Sequence, residues 1–579
     1  MNATSHAVSK PLRNLPASFW LRRRQKRAAS VLALGVVFAG SLHSAPAATT
    51  YSYTGSGSTG SASTPVTGNF STGFSSNTSG SSISSSTYTD TLSFGGTTNY
   101  IAYDDLAQQV PAHSLSFSNS GTVTLERKGV VNSISLGGAS PSVTTGTGSV
   151  AINLDLSLAA TVKFDIGSSM TISGLISDGT SSFGLTKIGT GTLILTGANS
   201  YKGSTNFDGG IVNVGSAGAL GANGNLIFGG GTLQYSTANH TDYSARFLPS
   251  TSNQAYNIDT NGQNVTFSVG IGSSGGTLTK SGAGTLILMG AGTYTNGTTV
   301  TGGTLSGNAG SYGSGAIAVG SGATVDYTQS ATTGTAANNI SGQGTATFGG
   351  VVTGSGTGGA NSNGTGGTVT YTGQDSLATT VKTGAVVLNN PSSAALTGPV
   401  AIATNGTVQL GASNQIQTSA QGIAANVTLS GGTLNANGHS DGTISGTPSA
   451  SPTTSAVTAS MGTLTLSSSS TLDFGLNSTN SILAFANSNG IAWSGTLKII
   501  NYTGGTDALY IGNSSSGLTS TQLSQISFNG LAARQLSNGE IVAAPEPSTL
   551  LSLLIGTAAL GGLAWSRRRS AQQTAVQEA

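Results

Sequence analysis

The sequence contains no cysteine, and only 7% of its residues carry a charge. The lack of cysteine excludes thiolate metal sites, thiol nucleophiles and a disulfide scaffold. Average proteins carry about 25% charged residues. Ten of the twenty basic residues lie near the two termini, which leaves ten basic and sixteen acidic residues between them, a net charge of about −6. This balance argues against nucleic acid as a partner, and the fold must depend on burial and backbone hydrogen bonds.

Small and hydroxyl-bearing residues dominate the chain. Glycine accounts for 87 of the 579 residues, and 36% of the residues are hydrophobic. This composition is too apolar and too neutral for a charge-driven disordered chain. It suits many short strands separated by tight turns, with small hydroxyl side chains on the outer face. We therefore expect an all-β fold.

The first 47 residues have the layout of a secretory signal peptide. A basic stretch, Arg22–Arg27, precedes the apolar segment Ala28–Leu42. Small residues follow, and we predict cleavage at Ala45 or Ala47 after delivery to the secretory translocon. The alternative is an uncleaved membrane helix, for which about 15 apolar residues are short.

The chain ends in three consecutive elements: a Pro-Glu-Pro motif, an apolar segment and an arginine cluster. The apolar segment, Thr549–Trp565, would reach roughly 26 Å as a helix, close to the hydrocarbon thickness of a bilayer. The arginines would hold the C-terminus in the cytoplasm. We predict one C-terminal transmembrane helix followed by a cytoplasmic tail, 571–579. The flanking residues are Pro545, Glu546, Pro547, Arg567, Arg568 and Arg569.

Residues 543–570 resemble the PEP-CTERM sorting domain of Gram-negative bacteria, because all three parts occur in order. The resemblance implies recognition of Pro545-Glu546-Pro547 by an exosortase-type membrane protease. It also implies a transient inner-membrane anchor, followed by delivery to the cell surface or to an exopolysaccharide matrix. The alternatives are an ordinary tail anchor and a buried core helix.

An internal repeat occupies the middle of the chain. Residues 185–214 and 278–307 align without gaps at an offset of 93, and 15 of 30 positions are identical. In the first copy Leu193 and Leu195 alternate with Thr192 and Ile194, which is the periodicity of a strand with one buried face. We predict that Tyr201 and Tyr294 close the core at the next corner. The pairs Gly209-Gly210 and Gly302-Gly303 then form the following turn.

Both copies resemble the passenger-associated transport repeat, also called the autotransporter-associated β-strand repeat. They keep its leucines, its glycines, its tyrosine and a lysine, Lys187 or Lys280. The resemblance implies a parallel β-helix in an exported protein. Since a coil cannot bury its apolar face alone, stacked coils are expected, each of roughly 30 residues.

These observations divide the chain into seven segments. The solenoid, 89–446, follows a Ser/Thr/Gly-rich entry segment, 48–88. A linker, 447–460, then precedes a β-rich capping module, 461–542. The signal peptide, the sorting signal and the tail complete the division.

No residue pattern indicates catalysis or a cofactor. Polysaccharide lyases and hydrolases with β-helical folds need grouped carboxylates, and here the acids are scattered. Asp104-Asp105, the one adjacent acidic pair, is expected in a solvated turn, and Asp208 and Asp259 at turns. The histidines of the body lack metal-ligand spacing and are expected in surface loops: His113, His240 and His439. We therefore expect a non-enzymatic structural or adhesin-like surface protein, with such a lyase or hydrolase as the alternative.

Overall fold

A computed structural model describes the main body of the chain. It covers residues 48–53, 66–76, 87–128, 133–328, 334–350, 368–420, 422, 424–445, 456–476 and 480–544. The signal peptide with Ala45 and Ala47 lies outside the described residues, as do the sorting residues from Pro545 to Arg569. Within the described part, no helix is long and apolar enough to span a bilayer. The predicted transmembrane helix, 549–565, therefore stays a prediction.

Short β-strands make up nearly all of the regular structure. The first part of the chain contains β1 Thr50–Tyr53, β2 Val66–Asn69, α1 Phe70–Gly73, β3 Phe74–Ser76, β4 Thr91–Phe94, β5 Tyr100–Asp104, β6 Val110–Ala112, β7 Ser114–Phe117, β8 Thr122–Arg127, β9 Ser133–Leu136, β10 Ser142–Thr145, β11 Ser149–Ile152, β12 Asp155–Leu158, β13 Val162–Ile166, β14 Ser169–Ile172 and β15 Ile176–Ser177.

The middle part contains both repeat copies. Its elements are β16 Leu185–Ile188, β17 Thr192–Leu195, β18 Thr205–Phe207, β19 Ile211–Val214, β20 Leu226–Phe228, β21 Thr232–Gln234, a 3₁₀-helix Ser244–Arg246, β22 Ala255–Asp259, β23 Val265–Phe267, β24 Thr277–Ser281, β25 Thr285–Leu288, β26 Thr298–Val300, β27 Thr304–Gly307, β28 Ile317–Val319, β29 Thr324–Thr328, β30 Gly334–Ala336, β31 Ile340–Gly342 and β32 Thr345–Gly350.

The last part continues the same architecture. Its elements are β33 Thr368–Tyr371, β34 Ala378–Val381, β35 Gly384–Leu388, β36 Val400–Ala403, β37 Gly406–Leu410, β38 Val427–Ser430, β39 Thr433–Asn435, β40 Thr443–Ser445, β41 Ala456–Thr458, β42 Leu464–Ser468, β43 Ser470–Asp473, β44 Ile482–Phe485, β45 Leu497–Ile500, β46 Ala508–Ile511, α2 Ser520–Ser524, β47 Ile526–Phe528, β48 Leu531–Gln535 and β49 Glu540–Ala543.

Parallel pairing between successive turns builds a β-solenoid, which confirms the all-β, parallel-solenoid part of the predicted fold class. Sheet I contains nine strands in the order β20-β18-β16-β13-β10-β7-β4-β1-β3, and sheet II contains thirteen, β2-β5-β8-β11-β14-β17-β19-β21-β22-β24-β26-β28-β31. Sheet III is β15-β12-β9-β6, and sheet IV is β23-β25-β27-β29-β32-β34-β36-β38-β42. Sheet V is β30-β33-β35-β37-β39-β43-β45-β47-β48-β49-β46-β44, and β40 pairs with β41.

The turns of the solenoid around the first repeat copy are shorter than the sequence predicts. Thr192, Ile211 and Thr232 occupy equivalent positions on successive turns, 19 and 21 residues apart. The expectation of about 30 residues per coil is therefore wrong. One copy of the repeat contains two strand pairs, β16–β17 and β18–β19, and so extends over part of a second turn. The sequence repeat is longer than one structural turn because the motif includes two successive corners.

Inward side chains form one continuous column of apolar residues. Leu193, Leu195, Leu286 and Leu288 are all buried, as the alternation predicts. Aromatic rings stack between neighbouring turns at several levels, for example Phe207 on Phe228 with ring centroids 4.7 Å apart. Full burial of each such side chain stabilises the fold by about 1.5–3 kcal/mol.

Antiparallel strands close the sheets near both ends of the described body. β3 pairs antiparallel with β1 at the edge of sheet I, and β49 pairs antiparallel with both β46 and β48. Such strands interrupt the parallel stacking and limit edge-to-edge aggregation. Sheet I already includes β1, and sheet V runs through β43, β45 and β47, so the sheets cross the boundaries predicted at 88/89 and 460/461. The division of the chain into domains at these two boundaries therefore stays a prediction.

A loop between the two repeat copies shifts the strands to new sheets. In the first copy β16 lies in sheet I and β17 in sheet II, whereas the equivalent β24 and β25 lie in sheets II and IV. The intervening loop, 235–254, returns the chain to sheet II, where β22 pairs directly with β21. Arg246 ties this loop to the preceding turn by donating to the carbonyls of Leu220 and Gly224, each at 2.7 Å.

Candidate functional site

The lysine of each repeat lies inside the solenoid at a strand corner. Lys187 is fully buried, and its Nζ donates to the carbonyl oxygens of Ile188 at 2.6 Å, Gly189 at 3.0 Å and Gly209 at 3.2 Å. The first two carbonyls belong to the corner after β16, and the third belongs to the equivalent corner of the next turn. Three donors therefore meet three acceptors, and the ammonium joins two turns.

The second copy repeats this arrangement. The Nζ of Lys280 donates to the carbonyls of Ser281 at 2.9 Å, Gly282 at 2.8 Å and Gly302 at 2.9 Å. Burial lowers the pKa of both lysines to about 8, and a nearby carboxylate, Asp165 or Asp259, opposes this shift. The lysine that the repeat motif retains is thus a structural link between turns.

Glycine is required where the second corner approaches the lysine. Gly210 has φ +59, and a Cβ at this position would lie 2.4 Å from the carbonyl oxygen of Gly191 and 2.8 Å from Nζ of Lys187. Gly303 occupies the same position in the second copy, with φ +63. A side chain would be strained by the backbone and blocked by its neighbours. This confirms the turns predicted at the two Gly-Gly pairs.

The repeat tyrosine closes the core beside a buried threonine. Tyr201 is fully buried, and its hydroxyl lies 2.8 Å from Oγ1 of Thr205. Tyr294 and Thr298 form the equivalent pair at 2.6 Å. Burial raises the pKa of Tyr201, so the phenol stays neutral. The prediction that these tyrosines close the core is therefore confirmed.

The remaining residues singled out by sequence occupy separate loops and strand ends. His240 is exposed, and its ring nitrogen Nε2 lies 3.0 Å from Oε1 of Gln263; His113 and His439 are half-buried in turns. Asp259 accepts a hydrogen bond from the backbone of Asn261 at 2.8 Å, as expected of a turn residue, and Asp208 is exposed after β18. In the part of the chain described here, no three acids or histidines converge on a metal position.

The expectation for Asp104 is wrong. Its side chain is buried because strand alternation in β5 places it on the inward face together with Tyr100 and Ala102. Burial raises the pKa of Asp104 to about 6. Asp105, the next residue, points the other way and accepts hydrogen bonds from Ser71. Two carboxylates that are adjacent in sequence therefore lie in different environments, one buried inside the solenoid and one on its outer side.

Sequence reasoning also missed several buried carboxylates in the later turns, among them Asp375 and Asp441. Asp375 accepts hydrogen bonds from the backbone N–H of Leu377 at 2.9 Å and from Oγ1 of Thr379 at 2.6 Å. Asp441 accepts from the backbone N–H groups of Gln415 at 2.6 Å and Ile416 at 3.1 Å. Burial raises the pKa of each to about 7. Both carboxylates hold backbone N–H groups.

Comparisons with known proteins agree with this geometry. The passenger-associated-transport-repeat family matches residues 185–214 and 278–306. This chain contains two such repeats. The Adhesin BmaC autotransporter of Brucella suis biovar 1 (strain 1330) is 35% identical over 193 residues. That alignment covers 32% of this chain and 5% of the relative, so the chain matches a small part of that protein. No solved structure gives a significant match.

The segments matched by the repeat family contain the residues that form the buried corners. The matched segments begin at β16 and at Leu278 in β24, and they include both lysines, both tyrosines and both Gly-Gly turns. These residues hold successive turns together. The repeat is therefore a stacking unit.

Proposed function

We propose that this chain is an exported, non-enzymatic protein of the cell surface or extracellular matrix, with a structural or adhesin-like role. The observation that carries the proposal is the presence of two passenger-associated transport repeats within a continuous parallel β-solenoid. The relative named as an adhesin supports the same class. The ionisable groups buried at the corners, such as Lys187 and Asp441, bind backbone groups.

Export and sorting by the two termini form part of the proposal. The signal peptide directs the chain to the secretory translocon and is cleaved at Ala45 or Ala47. The apolar segment 549–565 is a transient inner-membrane helix, and an exosortase-type protease recognises Pro545-Glu546-Pro547 ahead of it. The support is the order of these elements in the sequence. The released body joins the surface or an exopolysaccharide matrix.

Cell fractionation tests the sorting mechanism. In the wild type we expect surface-associated protein with a shortened C-terminus. Substitution of Pro545, Glu546 and Pro547 by alanine should retain the full-length chain in the inner membrane. Pro448→Ala with Pro452→Ala is the matched control, because these prolines precede the last turns and lie outside the sorting segment. Unchanged surface delivery of the triple variant would contradict exosortase-type sorting.

An activity assay separates the structural role from the alternative of a polysaccharide lyase or hydrolase. We expect purified protein to leave acidic and neutral polysaccharides uncleaved with and without calcium. Cleavage that also disappears on heat unfolding would show that the chain is an enzyme and would refute the structural role. Fractionation and activity are independent measurements, so sorting and the absence of catalysis are tested separately.

A further inference from the structure

A hairpin at the end of the described body places an exposed tip beside the point where the chain continues toward the sorting segment. The two-residue turn Asn529-Gly530 joins β47 to β48, and Leu531 begins β48. Both turn residues are exposed, and so are Leu531 and Ala532. The backbone N–H of Ala544, the last described residue, donates to the carbonyl of Ala532 at 2.7 Å. We call residues 529–532 the exit tip.

The strand that follows the turn lies where the stacking of turns ends. None of the five side chains of β48 is fully buried, whereas Ile526 and Phe528 of its partner β47 are. Leu531 is 37% exposed. The exit tip thus includes apolar surface that no further turn of the described solenoid covers. Such surface is stabilised by transfer from water to an apolar medium.

The exposed charges near the exit tip are basic. In residues 461–476 and 480–544 the exposed charged side chains are Lys498 and Arg534. Arg534 lies on β48 itself, and Lys498 lies on β45, two strands away in sheet V. The carboxylates of these residues are at least partly buried: Asp473, Asp507 and Glu540. Basic side chains near a bilayer are attracted to the phosphates and anionic headgroups of its lipids.

The length of the connecting chain keeps the exit tip close to the proposed membrane helix. Four residues separate Ala544 from Thr549, where the apolar segment begins. Five residue steps extend over at most about 18 Å. The headgroup layer on one side of a bilayer is itself roughly 5–7 Å thick. Since Ala544 is hydrogen-bonded to the exit tip, the tip must lie near the lipid headgroups while the helix is inserted.

We propose that the exit tip rests on the phospholipid surface of the inner membrane while the chain is anchored there. Leu531 lies at the boundary between headgroups and acyl chains, and Arg534 binds lipid phosphate. This inference rests on the proposed transmembrane helix and adds a second contact between the body and the bilayer. The contact holds Pro545, the residue after Ala544, at the membrane surface, within reach of an exosortase-type membrane protease.

One outward column of sheet V provides a ruler for this geometry. It runs in register from Ala532 on β48 through Ser527 on β47 to Thr368 on β33. Neighbouring strands lie about 4.8 Å apart, so the seven steps extend over roughly 34 Å. The sequence contains no cysteine, so a cysteine introduced at either end of the column is a unique labelling site.

Fluorescence quenching in vesicles tests the contact. The signal-cleaved chain with an intact C-terminus is reconstituted in phosphatidylethanolamine–phosphatidylglycerol vesicles that carry a quencher on their headgroups. A fluorophore on Ala532→Cys should be quenched at least about fivefold more than one on Thr368→Cys, because the second site lies roughly 34 Å away along the column. Leu531→Ser should reduce quenching at 532 roughly twofold. Leu476→Ser, at a leucine that follows β43 and is 87% exposed, is the matched control and should leave quenching unchanged.

Three results would overturn the inference: no quenching at 532, equal quenching at 532 and 368, and equal effects of the two leucine substitutions. Quenching at 532 that requires added protease would assign the exit tip to a protein partner instead. Flotation of the vesicles measures insertion of the C-terminal helix separately. A chain that floats without quenching at 532 contradicts the lipid contact alone, whereas a chain that does not float contradicts the proposed helix as well. Circular dichroism shows whether each variant folds.

Discussion

Replacing Lys187 with methionine tests whether the buried ammonium holds successive turns together. Methionine retains most of the apolar stem but removes all three donors to the carbonyls of Ile188, Gly189 and Gly209. Each hydrogen bond from a charged donor contributes about 1.5–3 kcal/mol, and the loss is partly offset because no charge remains buried. We therefore expect the free energy of local opening to fall by about 2–4 kcal/mol.

Native-state hydrogen exchange measures this change where it occurs. Solenoid turns open locally, so a single unfolding transition would average over many turns. Amides in peptides from residues 185–214 should exchange roughly 30 to 1,000 times faster in the variant. Residues 278–306 hold an unmodified copy of the same site around Lys280 and serve as a control within the same molecule.

Lys163→Met is the matched surface control. Lys163 is exposed on β13, and it pairs in register with Thr186 on the next strand. Its substitution should leave exchange unchanged in both copies. The reasoning would be refuted if Lys187→Met left the protection of 185–214 intact. It would also be refuted if protection fell equally in both copies, because the effect would then be global.

Three further changes test other parts of the core. Burial raises the pKa of Asp375 to about 7 from 3.8, so its contribution to stability is complete below about pH 4 and is lost as the pH rises to about 7. Asp375→Asn should remove this part of the pH dependence in denaturant titrations and raise the unfolding free energy at pH 8 by on the order of 1–3 kcal/mol. Gly210→Ala should lower the free energy of local opening, measured by hydrogen exchange, by more than about 2 kcal/mol, and Gly179→Ala should lower it by about 1 kcal/mol. Both glycines have φ near +60, but only at Gly210 would a Cβ meet neighbouring atoms. Tyr201→Phe should lower the unfolding free energy by about 1 kcal/mol through loss of the hydrogen bond to Thr205. Tyr53→Phe removes a buried hydroxyl that has no hydrogen-bond partner within the described protein, and it should not lower thermal stability. Equal losses from these two substitutions would contradict the role of the buried Tyr201–Thr205 pair.

The acidic residues show why sequence alone gave an incomplete account of the polar core. Asp104 and Asp105 are adjacent residues of the same type, yet strand alternation buries the side chain of the first and leaves that of the second partly exposed. Asp441 binds the N–H groups of Gln415 and Ile416, which are about 25 residues away along the chain. Such contacts depend on which turns lie next to each other in the fold. The residues adjacent to Asp441 in the sequence do not indicate which turn that will be.

The amino-acid sequence by itself determined the strands, the inward leucines and the glycine turns of the two repeats. These features follow from alternation and from the φ values that glycine permits, and both are properties of a few adjacent residues. Only the tertiary structure decided that a turn at the first repeat copy has about 20 residues, that Lys187 points inward, and that the loop 235–254 moves the second copy to different sheets. Those outcomes depend on pairing between turns, where a buried ammonium is stable only because carbonyls from two corners converge on it.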